Sequence, residues 1–315
     1  MSETESLPSD IEISVVIPAY ALHEEALDQL RECLQAVQPS LTQGREVVVV
    51  DDASPQLGGR IEALAAAHGA RYLRMEQQSG PGRARNLGVA KSSGETVIFF
   101  DADTVVHADT VARLVGRMSE GHAAVIGSYD DQPSATGVVS RFRNLLHCYV
   151  HHSSAGQVQT FWTGCGAVRR SWFERLGGFS RRYTEPSIED VEFGYRLTAA
   201  GGIIWLDPTA QVTHLKPWTL GSMVKTDLWK RAVPWSQLLR EHPLPGGLNF
   251  SWKDRLAALC VATVVPIPLL LWLKWGLLRF LYQRGGLWFA VQCFGLLVIH
   301  LATAILGLVI GRLKG

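Results

Sequence analysis

"VIFFDADT", residues 97 to 104, runs an apolar, strand-like stretch straight into two carboxylates spaced one residue apart, Asp101 and Asp103. A buried strand that ends on two like charges needs a reason at its end. The sequence upstream supplies the frame. ISVVIPAY (13–20), EVVVVDDAS (46–54), ARYLRM (70–75) and ETVIFF (95–100) are short β-rich runs. Between them lie HEEALDQLRECLQAV (23–37), RIEALAAAHG (60–69) and GRARNLGVAKSS (82–93), which read as helices. Strands that are apolar without alternation and separated by helices predict an α/β domain with a mostly parallel central sheet covered on both faces. Such sheets bind ligands outside the carboxyl ends of their strands, where Asp101 and Asp103 are delivered. Asp51 and Asp52 end the second strand in the same way. An Asp pair after a strand also serves turns and helix caps. Two pairs on one sheet edge repel unless a positive charge sits between them, and a hard cation with oxygen ligands, Mg²⁺ or Mn²⁺, suits a site of one or two carboxylates completed by water and phosphate oxygens.

The chain of 315 residues has a formal net charge of +1, long enough for one sizeable α/β domain plus an additional part. No nucleic-acid partner is expected. Composition divides it into a tail (1–10), the main domain (11–241), a linker rich in Pro and Gly (242–255) and a membrane region (256–315). Within the last, segments at about 257–273 and 287–310 are apolar over lengths near the roughly 20 residues a spanning helix needs. Pro266 and Pro268 leave a kinked or re-entrant first segment open. Trp252, Trp272, Trp275 and Trp288 stand where interfacial anchors stand, and KTDLWKRAVPW (225–235) reads either as a segment lying on a headgroup surface or as an ordinary solvated helix. The acidic N-terminus lacks the basic-then-apolar pattern of a secretory signal. The expectation is a multi-pass membrane protein with a cytosolic main domain. Lys and Arg flank both segments, so charge bias does not set their orientation. The five cysteines are scattered without a C-x-x-C pair, which implies neither a disulfide framework nor a zinc site.

At this point the ordered motifs resemble a family, the inverting family 2 glycosyltransferases of GT-A fold, in a membrane-anchored, non-processive form. SVVIPAY is similar to the opening strand, whose end (Pro18, Ala19, Tyr20) contacts the nucleotide. VVVVDDAS is similar to the second strand, with Asp52 on the pyrimidine base. GPGRARNLG resembles the helix whose Arg85 and Asn86 frame the nucleotide. FFDADT resembles the D-x-D motif, with Asp101 and Ala102 on the donor and Asp103 on the metal. FWTGCGAVRRSWFERLGGF resembles the segment on the sugar and acceptor side. IEDVEFGYRL resembles the motif in which Glu189 meets the donor and Asp190 is the catalytic base. Inverting transfer needs such a base and a neutralised diphosphate, and the neighbouring Glu185, Glu189 and Glu192 tend to raise a carboxylate's pKa. The same segment also reads as an amphipathic helix start with acids near its positive end.

The resemblance further implies His214 as a metal ligand, Lys216 on phosphate and Trp235 beside the donor. One departure stands out. Polymerising relatives carry Q-x-x-R-W here, whereas RAVPW puts Arg231 at the Gln position and Pro234 at the Arg position, keeping only Trp235. The expected activity is a single, metal-dependent transfer from a nucleotide sugar, with uridine diphosphate the favoured carrier, to a membrane-associated acceptor such as a polyprenyl phosphate or glycolipid. The rival readings are a subunit of a polysaccharide-polymerising synthase and a catalytically silent nucleotide-sugar-binding or scaffold protein.

Overall fold

The computed structural model describes residues 12–40, 44–241, 252–262 and 267–313. The expected tail, and residues 242–251 of the expected linker, lie outside the described residues. The chain opens with β1 (Ile13–Ala19), α1 (Glu24–Val37), β2 (Arg45–Asp51), α2 (Gly58–Ala67), β3 (Arg71–Arg74), α3 (Pro81–Ala90) and β4 (Thr96–Phe100). The middle adds β5 (Thr104–Val106), α4 (Thr110–Ser119), β6 (Ala124–Tyr129), α5 (Val138–Ser153), β7 (Gly156–Val158), β8 (Cys165–Arg169), α6 (Arg170–Arg175), α7 (Glu189–Ala199) and β9 (Ile204–His214). Then come α8 (Leu220–Lys225), a π-helix (Thr226–Ala232), α9 (Val233–Glu241), α10 (Trp252–Ala262), α11 (Ile267–Leu273) and α12 (Trp275–Leu313).

Val47, Val48, Val49 and Val50 are all buried, as a strand covered on both faces requires. The sheet has nine strands in the order β3-β2-β1-β4-β8-β6-β9-β5, with β7 on β9. Pairing is parallel from β3 through β4. Beyond β4 it changes: β8 runs antiparallel to β4 and β6, β6 runs parallel to β9, and β5 and β7 run antiparallel to β9. The sheet is therefore mixed, which corrects the mostly parallel expectation. The reason is physical: Cys165, Gly166, Ala167 and Val168 of β8 are buried, and a strand covered on both faces has the same apolar run whichever way it points.

Chain order places a crevice where the sequence argument wanted it. β1 has β2 on one side and β4 on the other, so successive crossovers leave in opposite directions and open a switch point at the carboxyl ends of β1 and β4. The β5–β9 register pairs Thr104 with His214, which sets His214 beside the Asp101–Asp103 turn. Two glycines let α3 approach. Gly80, with φ 88°, turns the chain into the helix where any Cβ would meet the backbone of Thr184, and a Cβ at Gly88 would collide with the side chains of Val16 and Val50.

The C-terminal region differs from expectation. α10 has 11 residues and α11 has 7, both well short of the roughly 20 that span a bilayer. Among the described residues one helix, the 39-residue α12, is long and apolar enough to cross a membrane. It is interrupted at Gly286, whose φ is 74°. The expected pair of spanning helices and the multi-pass arrangement are thus not supported. Composition counted apolar residues along the first segment, but Pro268 sits in the first turn of a new helix, a position that suits a residue lacking an N–H. One face of α12 packs on the main domain: Leu281, Cys293 and Leu297 join Phe142, Leu145 and Met223, and glycines 307 and 311 bring the helix against Ala232 and Ser236. The other face leaves Leu287, Trp288, Val291, Leu306 and Val309 exposed.

The close approach of α3 to β1 gives a first prediction. Gly88→Ala forces one extra methyl group into this packed layer and is expected to cost about 2 kcal/mol, read as a lower urea midpoint at unchanged slope; an unchanged midpoint would show that the layer yields.

Candidate active site

At the switch point lies a cleft of about 830 Å³. Its walls bring together Pro18, Ala19 and Tyr20 after β1, Asp101, Ala102 and Asp103 after β4, Glu189 and Asp190 at the start of α7, and Arg85, His214, Lys216 and Trp235. Phe161, Trp162 and Thr163 line it too. Asp52 stands apart: buried, it accepts the amide N–H groups of Ser79 and Gly80, each at 2.8 Å. Asp51 accepts from Ser54 N–H at 2.8 Å and from the Tyr72 hydroxyl at 2.9 Å, and it pairs with Arg74. The first Asp pair therefore ties together the loops after β2. Asn86 is likewise turned inward, bonding both the carbonyl and the N–H of Phe179.

The carboxylates at the cleft are sorted by their partners. Buried Arg85 donates to Asp101 at 2.6 Å and reaches Glu189 at 3.2 Å. Glu192 is held by Arg196 at 2.7 Å, and exposed Glu185 faces Lys230 at 3.9 Å. Asp190 has no ion pair among the described residues. It accepts from Val191 N–H at 2.8 Å and, weakly, from Thr163 N–H at 3.3 Å. Burial first, and then the neighbouring Glu189 charge, push its pKa up to about 6. Beneath it, Phe99, Phe161, Phe179 and Phe193 pack edge to face or tilted at centroid distances of 5.2 to 6.2 Å, fixing α7 against the 160–163 segment.

Asp103 and His214 form a second centre. The His214 Nδ1 lies 2.7 Å from the Asn144 side-chain oxygen. That oxygen accepts, so Nδ1 carries the hydrogen and Nε2 turns its lone pair toward the Asp103 carboxylate at 3.5 Å. Two lone pairs facing at this distance call for a positive charge between them, either a proton or a divalent cation. Burial would raise the Asp103 pKa, but His214 and Lys216 outweigh it and hold the carboxyl below its ordinary range. Among the described residues no group of three His, Cys, Asp or Glu is placed to hold a metal ion by itself. The pair fits Mg²⁺ or Mn²⁺ as a two-ligand site whose remaining positions fall to water and phosphate oxygens. The cysteines are all buried and free.

Sequence reasoning passed over α5. Its His147 and His151 line the cleft with Tyr129. Their rings lie 3.9 Å apart, and His147 sits 4.4 Å from both Tyr129 and Trp162. Burial holds His147 well below the usual imidazole range and His151 at about 4, so both are neutral near pH 7. The available signal was the four-residue spacing in HCYVH (147–151), which puts both rings on one helix face.

The chain matches the family model for glycosyl transferase family 2 over residues 14–177 and that for glycosyl transferase family group 2 over residues 96–310. It belongs to glycosyl transferase family 2, a family of transferases. Among curated relatives, glycosyltransferase GlyG from Streptococcus pneumoniae is 29% identical over 40% of this chain and 41% of its own length. The poly-beta-1,6-N-acetyl-D-glucosamine synthase of Staphylococcus epidermidis is 24% identical over 71% of this chain and 54% of its own. The chain thus spans about half the length, or less, of these relatives. Among solved structures, mannosyltransferase PcManGT from Pyrobaculum calidifontis, in complex with GDP-Man and Mn²⁺, superposes with a TM-score of 0.62 at 20% identity, covering 95% of this chain and 87% of that one. The likeness shows the GT-A fold.

The clamp yields a second prediction. Arg85→Met leaves two carboxylates uncompensated and is expected to cost about 3 kcal/mol. Glu189→Gln in the same background should recover part of the loss, so a double-mutant cycle by urea denaturation that gives additive effects would rule the clamp out.

Proposed function

We propose that the chain transfers one sugar, with inversion, from a nucleoside diphosphate sugar to a hydroxyl group of a membrane-associated acceptor. The observation that carries this reading is Asp190: a carboxylate with no ion pair among the described residues, raised toward neutrality, in the same cleft as the Asp103–His214 pair. The acceptor oxygen attacks the anomeric carbon from the face opposite the diphosphate. The bond from that carbon to the diphosphate oxygen breaks, its electron pair leaves with the diphosphate, and the hydroxyl proton passes to Asp190. Asp103 and His214 would hold Mg²⁺ or Mn²⁺, which when bound supplies positive charge to the departing diphosphate. Lys216 adds a fixed cation beside it. The neighbouring PcManGT complex, with its GDP-Man and Mn²⁺, supports a nucleotide sugar and a metal; the motifs favour uridine diphosphate.

Of the two acceptor types, a polyprenyl phosphate would offer an oxygen already ionised near pH 7 and would need no base. A base poised near 6 therefore favours a glycolipid hydroxyl. The departure from Q-x-x-R-W at Arg231 and Pro234 supports a single transfer rather than polymerisation. The exposed apolar face of α12, with its Trp275 and Trp288 exposed by 64 and 72% and Trp272 of α11 by 64%, supports anchoring at a bilayer by this helix. The donor's place of synthesis puts the main domain in the cytosol. Hydrolysis of a nucleotide sugar by the purified protein separates this reading from a silent binding protein, which would bind donor and leave it intact.

Two measurements follow. Asp103→Ala is expected to abolish the gain in donor affinity produced by Mn²⁺, and calorimetric titration showing an unchanged gain would remove Asp103 from the metal site. Asp190→Asn should leave donor affinity within about twofold and lower single-turnover transfer by roughly 10² or more. The base works deprotonated, so in the unsubstituted protein kcat/KM should fall as pH drops through about 6, and a profile flat from pH 5 to 8 would exclude Asp190 as the base.

A further inference from the structure

Beyond His214, on the Nδ1 side of its ring and away from Asp103, a small cavity of about 100 Å³ opens between α5, the π-helix and α12. Its walls are rich in donors that have nothing to bond. The side-chain nitrogen of Asn144, 2% exposed, is buried without a hydrogen-bond partner among the described residues, as are the Trp218 indole N–H and one ring nitrogen of His147. A buried donor left unpaired costs free energy, and two such N–H groups, beside a ring nitrogen that donates in one tautomer, ask for an oxygen-rich occupant.

The charges ask for an anion. Arg143, buried, pairs with Asp227 at 2.9 Å, and the other Asp227 oxygen is taken by His300 of α12 at 2.8 Å. Arg231 lines both this cavity and the cleft, and its guanidinium makes no hydrogen bond or ion pair among the described residues. One engaged carboxylate thus stands against two guanidinium groups. Their mutual repulsion is felt: burial first, and then Arg231, draw the Arg143 pKa down to about 10. The π-helix supplies both Asp227 and Arg231, and π-type turns inside helical segments recur at functional sites.

We propose that this cavity is a phosphate subsite, and that its occupant is the phosphate linking the sugar of a lipid-linked acceptor to its tail. This deepens the transfer reading and rests on it for the word acceptor. The direction of approach argues for a lipid phosphate over the donor's diphosphate. The cavity is walled by α12, the one long apolar helix among the described residues, through His300, whereas the donor side of His214 faces Asp103. A phosphate held here leaves the acceptor hydroxyl to Asp190, past Trp162, which lines both spaces.

The test uses the full chain in detergent and measures binding by calorimetry with farnesyl phosphate, farnesol and inorganic phosphate as probes. Farnesyl phosphate is expected to bind, inorganic phosphate to compete with it more weakly, and farnesol not to displace it. Arg231→Met should weaken farnesyl phosphate at least tenfold, and by a larger factor than it weakens donor in the presence of Mn²⁺. Trp218→Phe, which removes the indole N–H and keeps an aromatic side chain, should weaken it severalfold and guards against an effect of misfolding. Equal binding of farnesol and farnesyl phosphate, no response to Arg231→Met, or displacement of the phosphate by donor would overturn the proposal. These readings need no turnover. If they hold while no nucleotide sugar is bound or cleaved, the transferase reading fails and the phosphate subsite stands.

Discussion

A single guanidinium, buried between two carboxylates, decides the layout of this site. Arg85 rides on α3, Asp101 ends β4 and Glu189 starts α7, so one side chain ties together a helix, a strand end and a second helix that are distant in sequence. Without that charge, Asp101, Glu189 and Asp190 would stand as like charges on one wall. With it, the first two are held in place with one negative charge left over, and Asp190 sits beside the Glu189 charge that helps raise its pKa. Position, more than residue type, sets what each acid does: Glu192 is locked to Arg196, Asp51 and Asp52 are committed to loops, and Asp103 faces an imidazole.

The fold was legible in the sequence as far as β4. Each run such as EVVVV announced a doubly covered strand, and the intervening helical spacing announced the crossovers. Past β4 the same signal lost its meaning, since burial on both faces says nothing about direction, and β8 entered antiparallel. The D-x-D and E-D motifs were legible because strand ends and helix starts converge on a predictable crevice. Asp52, expected beside the base of a nucleotide, accepts one backbone amide on each of its oxygens. His147, His151, Asn144 and Arg143 were invisible for another reason. Their helix is one face of a pair, and sequence spacing shows a face without showing what it meets.

The apolar C-terminus teaches a related point. Hydropathy counts residues along a line, whereas the structure folds that line into two short helices and one long interrupted one. α12 has two unlike faces. Its glycine-bearing face is close-packed on Ala232 and Ser236, while its opposite face keeps large apolar side chains outward. A helix wedged in this way holds the π-helix and α5 in fixed relation to the cleft, so the wall of the site farthest from the sheet is shaped by the least polar part of the chain.

The pairing of Thr104 with His214 also imposes an order in time. During synthesis, the D-x-D acids leave the ribosome long before the imidazole that completes their centre, and β5, three residues long, has no partner until β9 arrives. Contacts that close so long a loop are slow to form. A nascent chain that has finished β1 to β4 therefore carries half a centre with nothing to hold it, and competence arrives only when the last strand of the sheet locks into register.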